Sequence, residues 1–120
     1  MPDDLLRHFF GGFVRLHLLY HAEQAPIYGS EMIEELARHG YRLGPGTLYP
    51  ILHQLEQDGY LTCEEAVVEG RRRKNYRITK TGRQTLIEAK AKLRELVAEV
   101  IDREDERPPA QNRRRAPGKS

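Results

Sequence analysis

The sequence has no tryptophan and a single cysteine, Cys63, in 120 residues. One cysteine cannot close an internal disulfide and has no Cys or His neighbours at zinc-finger spacing, which suits a reducing compartment. Cys63 is read as a small apolar core residue, with redox sensing as the alternative. No apolar run approaches the roughly 18 residues of a membrane span. The chain opens Met1-Pro2-Asp3-Asp4 rather than with the basic segment of a secretory leader. A cytoplasmic location without membrane association is therefore expected. Also missing are a glycine-rich phosphate loop, paired catalytic carboxylates and a nucleophile motif, so neither an enzyme activity nor a cofactor is expected. His17 and His21 stand four residues apart on a predicted helix, but a metal needs a third and usually a fourth ligand. His8, Glu23 and Cys63 are related to them by no ligand spacing, so no metal is expected.

Acidic residues are absent from one stretch in particular. Residues 71–83 carry 7 basic side chains and none acidic, whereas residues 1–69 carry 4 basic and 11 acidic. The formal net charge of +2 conceals this segregation, which presents a local anion-binding surface.

What is present is enough for one core: 38% of residues are hydrophobic, adequate for a single domain with appendages. From Leu5 to Tyr20 the apolar residues recur at three- and four-residue spacing on more than one face, predicting a helix buried on several sides. It ends before Pro26, and Gly11-Gly12 inside it costs ~1–2 kcal/mol relative to alanine. A second helix is predicted over 30–39, with Ile33, Leu36 and Ala37 inward and Gly40 as a left-handed cap. Pro45 suits the first position of a third helix, whose Leu48, Ile51, Leu52 and Leu55 recur at i, i+3, i+4 and i+7 before it stops at Gly59. Residues 60–65 and 75–79 read as strands of a hairpin, joined by a loop carrying Gly70, Arg71, Arg72, Arg73 and Lys74. Thr79 or Thr81 could cap a final helix with Leu86, Ala89, Leu93, Leu96 and Val100 at spacings of a coiled-coil seam. After about Asp102 the chain turns charged and proline-rich, predicting a disordered basic tail that includes Arg113, Arg114 and Arg115.

Three helices followed by a hairpin with a basic tip is the order of a winged helix-turn-helix, mainly α with a small β-hairpin. The buried leucines of the third helix leave Thr47, Tyr49, Pro50, His53, Gln54 and Gln57 outward, hydrogen-bonding groups without formal charge that suit phosphates near a helix N-terminus and base edges further along. An ordinary solvated face would be richer in Lys and Glu. The hairpin cations Arg71, Arg72, Arg73 and Lys74 suit phosphate contact or minor-groove insertion.

Three stretches carry a resemblance: Tyr28-Gly29-Ser30-Glu31-Met32, the run from Gly46-Thr47-Leu48-Tyr49-Pro50 to Gly59-Tyr60-Leu61, and Arg73-Lys74-Asn75-Tyr76-Arg77-Ile78-Thr79-Lys80-Thr81-Gly82. Over about residues 5–100 the chain resembles the PadR family of transcriptional regulators, short C-terminal type. A proline within a helix, as at Pro50, is rarely tolerated and makes the match specific. The resemblance implies a homodimeric repressor released by a small-molecule effector at the dimer interface. Its DNA surface would fall on Tyr28, on Thr47, Tyr49 and His53, and on Arg73 and Lys74. Ser30 stands where many members have tyrosine, and a serine near a helix N-terminus still donates to phosphate. Without tryptophan, an aromatic drug-stacking centre is not implied.

The expected organisation is therefore a DNA-binding domain over 1–80, a dimerisation helix over 81–103 and a basic tail over 104–120. Tyr28, Ser30, Thr47, Tyr49, His53, Gln54, Arg71, Arg72, Arg73 and Lys74 are the candidate contacts to double-stranded operator DNA. Phe9, Phe13, Leu86, Leu93, Leu96 and Val100 are the candidate dimer contacts, with an inverted-repeat operator as the consequence. Two other readings remain open at this point: a winged-helix module that docks a protein, and a metal- or thiol-responsive sensor of another winged-helix family.

Overall fold

The computed structural model describes residues 4–103; the tail with Arg113, Arg114 and Arg115 lies outside the described residues. In chain order the elements are α1 (Asp4–Gln24), α2 (Gly29–Arg38), α3 (Pro45–Gln57), β1 (Leu61–Val68), β2 (Arg71–Ile78), α4 (Lys80–Leu96) and a π-helical turn (Val97–Asp102). The two strands form one antiparallel hairpin. This is the expected mainly α architecture with a wing. The chain divides after Leu86 into two units.

Each element of the first unit sends at least one side chain into a single core. Leu18 of α1, Leu36 of α2, Leu48 and Leu52 of α3 and Leu61 of β1 are all but inaccessible, each contributing ~1.5–3 kcal/mol by burial. Ile27, Tyr76, Ile78 and Leu86 complete the cluster. The predicted stops are where the helices end, with Gly40 and Gly59 at positive φ after α2 and α3. Within α1, Arg15 folds back to donate to the Gly11 carbonyl at 2.9 Å, and a Cβ on Gly11 would crowd that guanidinium. Nothing in the structure explains Gly12.

Thr79 joins three elements. Its hydroxyl accepts from the backbone N–H of Gly82 at 2.9 Å, capping α4, and lies 2.7 Å from the Gly59 carbonyl and 3.1 Å from that of Tyr60, so that it donates back to the α3–β1 connection. Of the two candidate caps, Thr79 therefore holds the position.

The hairpin differs from its expected form. The strands run to Val68 and from Arg71, so the four cations lie on β2 itself rather than in a loop. Glu69 and Gly70 alone make the turn, with φ of 53° and 78°. Two successive left-handed residues give a two-residue turn whose twist matches that of the flanking strands, which extends the pairing to the tip. Glu-Gly is a weaker turn signal than Asn-Gly, and the strands expected over 60–65 and 75–79 both stop short of the tip that the pairing reaches.

Outside the hairpin, Ile27 and Tyr76 exchange backbone hydrogen bonds, Ile27 N–H to Tyr76 O at 2.9 Å and Tyr76 N–H to Ile27 O at 2.8 Å. This isolated antiparallel bridge pins the wing to the segment entering α2.

In the second unit, α4 ends in ordinary α-helical geometry at Leu96 and the chain continues through the π-helical turn. A π-turn advances fewer degrees per residue, so Val100 is turned relative to Leu93 and Leu96 from where a continuous α-helix would put it. Leu96, Val97, Val100 and Ile101 are exposed apolar residues there. Leu86 corrects the expected set of dimer contacts: only 3% exposed, it belongs to the core of the first unit.

Candidate nucleic-acid interface

The outward face of α3 is as the spacing predicts. Thr47, Tyr49, Pro50, His53, Gln54 and Gln57 are exposed while Leu48, Leu52 and Leu55 are buried. Pro50 sits inside the helix without breaking it, at the cost of the donor that Gly46 would otherwise receive. Gln54 is partly committed, its amide nitrogen donating to Asp58 at 2.9 Å; its carbonyl oxygen takes no part in that bond.

The wing carries its cations in two different states. Arg72 pairs with Glu65 at 3.6 Å and Arg77 with Glu64 at 3.1 Å, both on the exposed hairpin surface, where such pairs contribute little to stability. Arg71 and Lys74 are exposed and Arg73 is half-buried. The Arg73 guanidinium lies over the Tyr28 ring, 3.6 Å from its centroid.

A cleft of about 420 Å³ brings most of the expected contacts together. Tyr28 and Ser30 come from the start of α2, Tyr49 from α3, and Arg71, Arg72, Arg73 and Lys74 from β2. Glu69 stands at its edge as the one acidic side chain. The start of α2 adds its unpaired N–H groups and the positive end of the helix dipole. His53 and Gln54 lie on the same helix as Tyr49 but outside this cleft, and Thr47 lines a different hollow.

Gly29 is a member of the site that residue types did not reveal. It is buried at the first turn of α2, and a Cβ added there would overlap the Tyr49 ring. The signal available was Tyr28-Gly29-Ser30 itself, a glycine where a helix begins, but its partner lies 20 residues further on.

The second hollow, about 780 Å³, lies between α1 and the α2–α3 connection and is lined by Phe10, Tyr41, Leu43 and Ile51, with Arg7 and Arg42 among its polar groups. Of the expected dimer contacts, Phe9 is half exposed and stacks on Phe13 with centroids 5.5 Å apart. Phe13 is half-buried against Tyr41. Leu93 is partly buried, and Leu96 and Val100 are exposed.

Sequence reading paired His17 with His21; the fold adds His39 and Glu35. The His17 ring lies 5.1 Å from that of His39, and Glu35 Oε2 is 3.5 Å from His21 Nε2 and 3.2 Å from His39 Nε2. Arg38 also pairs with Glu35. Burial, then the charges of His39 and His21, hold the His17 pKa below its ordinary value. Among the described residues no group of three or more His, Cys, Asp or Glu is arranged to hold a metal. Burial pushes the Cys63 thiol up, away from the thiolate that redox chemistry uses.

Comparison with known proteins agrees with the fold. Residues 18–88 match the transcriptional regulator PadR-like family. A transcriptional regulator of Mycobacterium tuberculosis is 50% identical over 96 residues, covering 80% of this chain and 90% of its own. A PadR-like transcription factor from Bacteroides fragilis superposes with a TM-score of 0.71 at 29% identity, over 82% of this chain and 96% of that one. A PadR family regulator from Eggerthella lenta gives 0.70 at 29% identity, over 82% and 88%. The chain belongs to the PadR-like family of transcriptional regulators.

Proposed function

We propose that this regulator is a homodimeric repressor that binds an inverted-repeat operator and is released by a small organic effector. The observation that carries the reading is the shared cleft, which sets Tyr49 of α3 beside Tyr28, Ser30 and the four cations of β2. An uncharged helix face can enter a major groove and read base edges while cations beside it hold the backbone. Ser30, Thr47, Tyr49, Arg71, Arg72, Arg73 and Lys74 then face phosphate or sugar at the groove edge, with Tyr28 in the same surface against Arg73, and His53 and Gln54 lie where α3 meets bases.

Dimer formation is supported by the apolar surface that each copy leaves uncovered. Leu5, Leu6, Phe9 and Phe10 on α1, and Leu96, Val97, Val100 and Ile101 near the end of the described chain, are all exposed. In the proposed dimer Leu93, Leu96 and Val100 of one copy meet Phe9 and Phe13 of the other, which carries two α3 helices into successive major grooves. The aromatic hollow beside α1, with two arginines in its lining, has room for an organic anion, and a ligand there would alter how α1 meets its partner.

Selection of bound fragments from a random duplex library at physiological salt tests the proposal. An enriched inverted repeat is the expected result. Recovery without enrichment would overturn sequence-specific repression and favour a winged helix that docks a protein.

A further inference from the structure

Tyr28 and Arg73 are 45 positions apart, yet backbone pairing dictates their meeting. The reciprocal bonds between Ile27 and Tyr76 place Tyr28 across from Asn75 in an antiparallel pair. Arg73, two residues along β2 on the same face, becomes the diagonal neighbour of Tyr28, within reach of a long side chain.

The stack spends the face of the guanidinium and leaves its edge. At 3.6 Å from the ring centroid, Arg73 makes a cation–π contact, which uses none of its five in-plane N–H donors. Its Nε is inaccessible to solvent, so the edge left for a ligand is that of the terminal N–H groups. Among the described residues no ion pair engages Arg73, whereas Arg72 and Arg77 each have a glutamate. The same cleft holds Ser30 and Tyr49, so the oriented arginine edge stands among other donors.

We infer that Tyr28 is a positioning residue for Arg73: its ring holds the guanidinium so that the two terminal nitrogens grip one DNA phosphate through their N–H groups. The inference rests on the DNA-binding reading above and assigns to Tyr28 an effect that acts through Arg73. Arg71 and Lys74, exposed and without such a platform, attract the backbone as mobile charges. Arg73 instead supplies a fixed two-pronged contact that sets how the wing is placed.

The experiment is a double-mutant cycle on the full chain with a duplex recovered in the selection, read as affinity at several salt concentrations. Arg73→Ala is expected to weaken binding about tenfold and to lower the salt slope by about one unit. Tyr28→Ala should produce nearly the same loss, the double variant should bind no more weakly than Arg73→Ala, and Tyr28→Phe should bind as wild type does. Tyr28→Leu gives the same comparison with an apolar side chain in place if Tyr28→Ala does not fold. Without DNA, NMR of the free protein should show ring-current-shifted Arg73 side-chain protons in wild type and Tyr28→Phe, and not in Tyr28→Leu.

Losses that multiply in the double variant would overturn the inference, because Tyr28 would then contact DNA independently. A Tyr28→Phe variant as weak as Tyr28→Leu would overturn it too, by making the hydroxyl the contact. If wild type binds no duplex at all, the DNA reading itself fails and the positioning role falls with it, an outcome separate from additivity in a protein that binds.

Discussion

Tyr49 lies so closely over Gly29 that any side chain at position 29 would share its space. The atoms that would collide are the far end of the Tyr49 side chain, which can turn away, and alanine gains about 1 kcal/mol of helix propensity over glycine. Gly29→Ala should therefore leave stability within about 1 kcal/mol of wild type while moving Tyr49 off the cleft. Thermal unfolding compared with operator affinity checks this. Unchanged affinity would show that the position of Tyr49 is immaterial to binding.

Leu86 and Leu96 are separated by ten positions along the chain and should behave differently. Leu86→Ala opens a cavity in the core of the first unit and should cost about 2–5 kcal/mol, as measured by urea unfolding. Leu96 is 51% exposed, so Leu96→Asp should change protomer stability little. In sedimentation it should shift the protein towards monomer, and a dimer of undiminished strength would remove Leu96 from the pairing surface.

Acidification should destabilise the protein in two stages. His17 is held below 6.5, so the unfolded chain binds a proton more readily than the folded one. Stability is then lost as pH falls from above 6.5 through the lower folded value. Burial favours the neutral form of Glu35, but the hydrogen bond with His39 and the charges of Arg38 and His21 outweigh it and lower its pKa. That contribution is present above the ordinary carboxylate range and is lost at lower pH. Melting temperature should fall as pH drops below the ordinary histidine range and through the lowered His17 value, and His17→Gln should flatten that part of the profile. A profile identical to that of wild type would exclude His17 as its source.

Thr79→Ala removes a helix cap together with a link to the Gly59 and Tyr60 carbonyls. The expected loss is about 1–2 kcal/mol, read from the midpoint of denaturant unfolding. Thr79→Ser, which keeps the hydroxyl, should recover most of it.

Much of the architecture was legible because it is local. Helix stops at Gly40 and Gly59, the apolar spacing of α3 and the run of cations from Arg71 are properties of neighbouring residues, and periodicity reports which of them share a face. The same spacing separated the buried leucines of α3 from Thr47, Tyr49, His53 and Gln54 before any tertiary contact was known.

Periodicity says nothing about which face meets which. That Leu86 closes its own core instead of lying on a seam, that Tyr28 stacks on Arg73, that Gly29 makes room for Tyr49 and that Glu35 joins His17, His21 and His39 all depend on contacts between elements remote in sequence. The Ile27–Tyr76 bridge shows why: two backbone hydrogen bonds join the entry of α2 to the wing, and that pairing decides the neighbours of Tyr28. Sequence alone determined the kinds of surface this regulator carries, through local spacing and composition. Only the tertiary structure decided which residues share a site, because packing and backbone pairing set distances that the chain's order does not contain.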